Sequence, residues 1–214
     1  MKPTSFDLQS VLRRCAFPVG SRILAGLAVG ALGALVLVPV SEGAAANATA
    51  ETAPGDGSSA AAAEELTPAA AALERMKTLE GSWEGTTGRG KPATLVVRVV
   101  AGGTAVMEEY SEGAGTMGMM TLYHLDGEDL MLTHYCISNN QPRMRADLAK
   151  SEDGALYFEF FDSTNLQDPM AGHMRRARIQ IVDENTLSNA WTYRQGGEDV
   201  FTEAIEWQRA GVSR

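Results

Sequence analysis

At 214 residues, 44% of them hydrophobic, the chain has the length of one folded domain with appendages. Its 27 acidic and 18 basic side chains give a formal charge of −9, and a surface of that sign repels phosphate backbones and anionic lipid headgroups. Nucleic acid is therefore disfavoured as a partner, and no membrane contact is expected beyond the N-terminus.

The N-terminal region carries Arg13, Arg14 and Arg22 ahead of an apolar run from Ile23 to Val40. A basic segment, an apolar segment and small residues at Ala44, Ala46 and Ala48 make residues 1–43 a secretory signal peptide. The competing reading retains residues 23–40 as an uncleaved anchor, although three glycines and Pro39 weaken such a helix. Both readings place the rest of the chain outside the cytoplasm, periplasmic or secreted, because positive charge precedes the apolar run. The Arg13-Arg14 pair invites a twin-arginine reading that Cys15-Ala16-Phe17 fits poorly. Cleavage after Ala48 leaves 14 basic and 25 acidic side chains, net −11, and strands Cys136 as a lone cysteine, so no internal disulfide is expected.

Residues 44–66 are rich in Ala, Gly, Ser and Glu and cannot bury enough apolar surface to offset their ordering entropy; they read as a disordered linker. The folded domain is expected over 67–210, since every Trp and Tyr lies beyond Leu79. Thr67-Pro68 supplies an N-cap and a first-turn proline, so a short helix is predicted through Lys77. From Trp83 onward, short alternating runs separated by turn residues predict ten strands near 82–87, 93–100, 104–111, 117–125, 129–137, 142–149, 155–162, 173–182, 186–194 and 199–209. Ten strands joined mostly by tight hairpins leave two exposed edges unless the sheet curls shut. The fold class expected is all-β: a closed or nearly closed antiparallel up-and-down barrel with a short N-terminal helix. A sandwich is the rival, and it needs long crossings that this sequence mostly lacks.

A short helix followed by Gly81-Ser82-Trp83 at the first strand resembles the opening of calycins, the superfamily of lipocalins and fatty-acid-binding proteins. That resemblance implies a lipocalin-like barrel in which Trp83 closes one end beneath the helix. The layout from Thr67 to Arg209, with His134-Tyr135-Cys136 and Asn140-Gln141-Pro142-Arg143-Met144, is similar to uncharacterised bacterial exported barrel domains with no established activity. Leu79, Gly81, Trp83 and Gly85 also match the opening of the nitrobindin family, which implies a haem barrel; the glycine-rich continuation of that family is absent after Gly85.

In a barrel, one parity of each strand faces in. Apolar content puts Leu156, Phe158 and Phe160 inside with Met144, Ala146, Leu148, Ile179 and Ile181, and puts Arg143, Arg145, Asp147, Arg176 and Arg178 outside. The hairpin at Asp126-Gly127 pairs Met119, Thr121 and Tyr123 with Leu130, Leu132, His134 and Cys136, and Leu130 with Leu132 makes this the inner face. Asn189 shares parity with Trp191, and Glu203 with Ile205 and Trp207. The candidate ligand-binding set is therefore Tyr123, His134, Phe158, Phe160, Asn189, Trp191 and Glu203: an apolar lining with a few convergent polar groups. The plain alternatives are a hydrogen-bonded core histidine, a satisfied interior amide at Asn189 and a solvated edge carboxylate at Glu203.

No catalytic residue is assigned, and no serine elbow, phosphate loop or paired-carboxylate motif occurs. No metal is expected, because His124, His134 and His173 lack ligand spacing, with His124 and His134 on opposite faces. Cys136 reads as a buried inert thiol. The loop from Ser163 to Gly172 is a candidate lid or an ordinary mobile loop. The function expected is extracytoplasmic binding of a small, largely apolar molecule, without a cofactor. The alternatives are a haem barrel with His134 or His173 as axial ligand, an enzyme with His134 as general base, and a filled barrel whose surface carries the function.

Overall fold

The computed structural model describes residues 65–113, 117–151 and 154–211. The expected signal peptide (1–43) and nearly all of the expected linker (44–66) lie outside the described residues. One helix, α1 (Pro68–Lys77), precedes ten strands: β1 (Gly81–Thr86), β2 (Pro92–Val100), β3 (Ala105–Glu112), β4 (Met117–Asp126), β5 (Asp129–Tyr135), β6 (Gln141–Ala146), β7 (Ala155–Thr164), β8 (His173–Ile181), β9 (Thr186–Gln195) and β10 (Glu198–Arg209). Each strand pairs antiparallel with its chain neighbours, and β1 pairs with β10, so the sheet is a closed up-and-down barrel. The fold class read from alternation and turn chemistry is the one observed. Among the described residues, no helix is long and apolar enough to cross a membrane.

Strand ends depart from expectation where side chains reward a turn. β6 stops at Ala146, not at 149, because the Asp147 carbonyl accepts Lys150 N–H at 3.1 Å and its carboxylate accepts the same N–H at 3.3 Å. β5 stops at Tyr135 because Asn139, in the left-handed region (φ 62°), turns back to give its N–H to the Cys136 carbonyl. Register shifts between Arg143 and Met144, between Met174 and Arg176, and between Asp199 and Phe201 mark bulges that interrupt strict alternation.

α1 begins as its sequence dictates. The Thr67 hydroxyl caps Ala70 N–H at 3.2 Å, Pro68 occupies the first turn, and Arg75 and Lys77 sit in the last turn where the helix dipole favours cations. Ala69, Ala72, Leu73 and Met76 are buried on one face, which packs against β3, β4 and β5. The chain then turns into β1, where Trp83 is buried and donates its indole N–H to the Leu79 carbonyl at 2.9 Å. Arg209, at the end of β10, lies 4.2 Å from the Trp83 ring and donates to the carbonyls of Thr78, Glu80 and Glu184. One guanidinium thus ties together the helix exit, the β8–β9 turn and the last strand.

Closure brings β1 unusually near β10. A Cβ at Gly85 would lie 2.7 Å from an Ile205 methyl, 2.8 Å from the Trp207 ring and 2.9 Å from the Glu206 carbonyl, so only glycine permits this approach. Gly118, by contrast, meets nothing within 4 Å. Gly85→Ala is expected to cost about 1–3 kcal/mol of unfolding free energy through overpacking. Gly118→Ala should stay within roughly 0.5 kcal/mol of wild type. Urea unfolding of the two variants measures both, and equal midpoints would show that the β1–β10 seam is looser than described here.

Candidate functional site

Pairing register builds the site. Glu108 on β3 stands opposite Thr121 on β4, and Thr121 stands opposite His134 on β5. All three are buried, so a polar row crosses three neighbouring strands inside the barrel. The Tyr123 hydroxyl, two residues along from Thr121, reaches diagonally and donates to Glu108 Oε2 at 3.0 Å. Thr121 Oγ1 lies 3.0 Å from His134 Nδ1. The opposite ring nitrogen, Nε2, has no protein partner among the described residues, and the imidazole lies against the Trp191 ring with 4.7 Å between centroids.

Above this row is a cavity of about 60 Å³ lined by Glu108, Tyr110, Met119, Thr121, His134, Met174, Asn189, Trp191, Glu203 and Ile205. It occupies the half of the barrel away from α1. On the α1 side the interior is filled by side chains: Trp83, Trp207, Tyr123, Phe158, Leu130, Leu132, Met144 and Leu156 are all fully buried. Among the described residues, this half of the barrel is therefore a packed core, and the small space lies at the other end.

Four of the seven residues expected at a site line the cavity: His134, Asn189, Trp191 and Glu203. Tyr123 and Phe158 are inside but form the floor, their rings 5.7 Å apart, and Tyr123 acts on the cavity through Glu108. Phe160 is a correction. It keeps the inward parity opposite Met144 on β6, but it is half-buried, packs against the His173 ring at 4.8 Å, borders a surface groove and does not line the cavity. His173 itself is buried with Nδ1 2.8 Å from the Ala171 carbonyl, and it does not reach the cavity lining.

Glu108, Tyr110 and Met174 are lining residues that sequence reasoning missed. On β3 the two parities read Val106-Glu108-Tyr110-Glu112 and Ala105-Met107-Glu109-Ser111, each mixed, so composition does not separate inside from outside. Pairing with the Tyr123 face of β4 would have separated them. Glu112, further along the inner parity, is held by Arg89 at 3.1 Å and Lys91 at 3.0 Å and accepts the Tyr110 hydroxyl at 3.4 Å. Glu203 is half-exposed and accepts Gly88 N–H at 2.7 Å.

Burial governs the chemistry of the row. Loss of solvation pushes the Glu108 carboxyl up to about 7, with the Tyr123 hydrogen bond pulling it partly back. Desolvation alone pushes His134 down to about 4, so the imidazole is neutral at neutral pH and a weak base. A general base works best with a pKa near the working pH, so this histidine is better suited to hydrogen bonding than to proton abstraction. Burial also raises the Cys136 thiol, which keeps it protonated and inert. A porphyrin is far larger than a cavity of about 60 Å³, so the residues here do not fit haem in this conformation. Among the described residues, no three His, Cys, Asp or Glu side chains converge to hold a metal ion.

These shifts carry opposite stability slopes. Glu108 has a folded value near 7 against an ordinary 4.5, so its contribution is fully present below about pH 4.5 and is lost as pH rises through 7. His134 is depressed from 6.5 to about 4, so its contribution is present above pH 6.5 and lost as pH falls toward 4. Glu108→Gln should therefore gain on wild type as pH rises, by roughly 3 kcal/mol above neutrality. Urea unfolding at stepped pH measures the difference, and a gap that does not change with pH would mean that the carboxyl is not desolvated.

No family model matches the chain, and no curated protein matches it. Among solved structures, a protein of unknown function of the DUF3598 family from Nostoc punctiforme is similar at TM-score 0.43 and 13% identity, over 63% of this chain and 49% of that one. The chain thus spans about half the length of that protein. EF1p2_mFAP2b, solved bound to DFHBI, is similar at TM-score 0.28 and 10% identity, over 67% of this chain and 99% of that one. At these scores, the ground for a functional reading is the cavity itself.

Proposed function

We propose that this domain binds a compact small molecule inside the barrel, one with a largely apolar surface and a group that hydrogen-bonds to His134. The observation that supports this reading is a buried imidazole nitrogen without a protein partner among the described residues, in the wall of a cavity whose apolar lining is Trp191, Met119, Met174 and Ile205. An unpaired buried polar atom costs on the order of 1–3 kcal/mol, and a guest that hydrogen-bonds to it recovers that cost. Size narrows the guest. Since one water needs about 10–15 Å³ of such space, a cavity of about 60 Å³ suits a guest of roughly four heavy atoms. Methionines on two walls allow some adjustment around this limit.

We further propose that residues 1–43 direct export, so that binding takes place outside the cytoplasm, with the segment either cleaved or kept as an anchor through residues 23–40. The acidic charge and the basic-then-apolar N-terminus support this reading. N-terminal sequencing of protein recovered from the natural host should begin just after Ala44, Ala46 or Ala48 if the segment is cleaved; recovery in the cytoplasm would end the proposal.

Binding is tested with primary alcohols of increasing chain length, followed by ligand-observed NMR on the full-length protein. Saturable binding should peak at about three or four heavy atoms. His134→Phe, which keeps an aromatic ring and removes both imidazole nitrogens, should weaken it roughly tenfold. Absence of saturable binding across the series, together with no retained mass in native mass spectrometry of protein from its own host, would leave a filled barrel without a guest.

A further inference from the structure

Four titratable side chains border the cavity, Glu108, Glu203, Tyr110 and His134, and none of them is basic at neutral pH with His134 held neutral. Neither carboxylate is paired with a Lys or Arg among the described residues. Glu108 has the Tyr123 hydroxyl as its partner, and Glu203 has the Gly88 N–H. Arg89 and Lys91 on the β1–β2 turn are paired with Glu112. A buried carboxylate without a counter-ion is an expensive arrangement, and the neighbouring buried carboxylate, Glu112, has two counter-ions in Arg89 and Lys91. The cavity is the exception. The rest of the lining is Met119, Thr121, Met174, Asn189, Trp191 and Ile205, and the Trp191 and Tyr110 rings are surfaces that attract cations.

Resting on the binding reading above, we propose that the guest is a small organic amine bound as its ammonium ion. Glu108 and Glu203 supply the negative charge, Trp191 and Tyr110 face the cation, and His134 Nε2 accepts one of its N–H groups. The unpartnered His134 nitrogen is the observation independent of the two carboxylates, and the proposal assigns the neutral imidazole the tautomer with its proton on Nδ1, toward Thr121 Oγ1, which makes Nε2 an acceptor. An anion is repelled by both carboxylates, and a neutral alcohol leaves both without a counter-charge. The arrangement therefore selects by charge as well as by size.

Proton linkage follows. The groups facing Glu108 are Tyr123 on β4, His134 on β5, Tyr110 on its own strand and Glu203 on β10. Below neutrality Glu108 is protonated and must release a proton before it can pair with an ammonium group, so amine affinity rises with pH and levels off once the carboxyl is ionised.

The test is a comparison of n-propylamine, 1-propanol and propionate, near-isosteric probes of three charge types, by ligand-observed NMR on the full-length protein. Propylamine is expected to bind roughly tenfold more tightly than 1-propanol at about pH 8, and to lose roughly tenfold by pH 5.5, with 1-propanol unchanged and propionate excluded. Glu108→Gln should remove the pH dependence and Glu203→Gln should narrow the preference. Both substitutions keep an acceptor for Tyr123 or Gly88, and thermal unfolding checks that the fold is retained. Binding of 1-propanol at least as tight as that of propylamine overturns the amine assignment while the cavity reading stands. Binding of none of the three overturns both. Propylamine binding undiminished in both variants places the cation elsewhere and overturns the assignment.

Discussion

The inward face of this protein exists because β1 meets β10. A ten-stranded antiparallel sheet left open would expose two rows of unpaired N–H and C=O groups and would not say which of its faces is the core. Closing it removes both edges and makes one parity of every strand an interior. That closure depends on a glycine at position 85, where the Trp207 ring and an Ile205 methyl leave no room for a side chain. From there the interior fills from the α1 end, through Trp83, Trp207, Tyr123 and Phe158, until the packing gives out at the row of Glu108, Thr121 and His134.

Much of this was legible in the sequence for specific reasons. Turn chemistry at Ala101-Gly-Gly103, Asp126-Gly127, Asp183-Glu-Asn185 and Gly196-Gly197 marks where strands end, and alternation between them sets which residues are neighbours across the ladder. The Asp126–Asp129 hairpin has the register that puts His134 beside Thr121. What the sequence concealed is position along the barrel axis. Phe160 has inward parity, opposite Met144, yet it packs on His173 and stays out of the cavity, because alternation gives the face of a strand and not the depth at which a cavity opens. Glu108 was concealed for another reason. On a strand whose two parities are equally mixed, a glutamate reads as a solvated residue, and its burial becomes visible only when β3 is laid against β4. How much of the barrel is hollow depends on how large side chains interdigitate across the interior, which strand periodicity does not encode.

The polar row is a departure from the rest of the core. Leu132, Met144 and Leu156 would pack well beside an apolar neighbour, yet the positions next to them hold an acid raised to about 7 and a histidine lowered to about 4. Each shift measures a preference of the barrel for the uncharged form, so the folded state resists charging at this level. A fold maximising stability alone would not place these two residues on either side of one threonine. Both residues border the cavity above the row, where the packing ends.

Arg209 has an implication for how the chain reaches this structure. Its bond to the Glu80 carbonyl spans 129 residues, and the ladder that seals the barrel joins the first strand to the last. Contacts of such long range form late, since the loop-closure entropy has to be met before they reward it. A ribosome still making β10 holds a chain that cannot close, with both edges of its sheet open to other chains. Topology therefore orders assembly: the chain becomes a barrel only once its tenth strand is free to pair with its first.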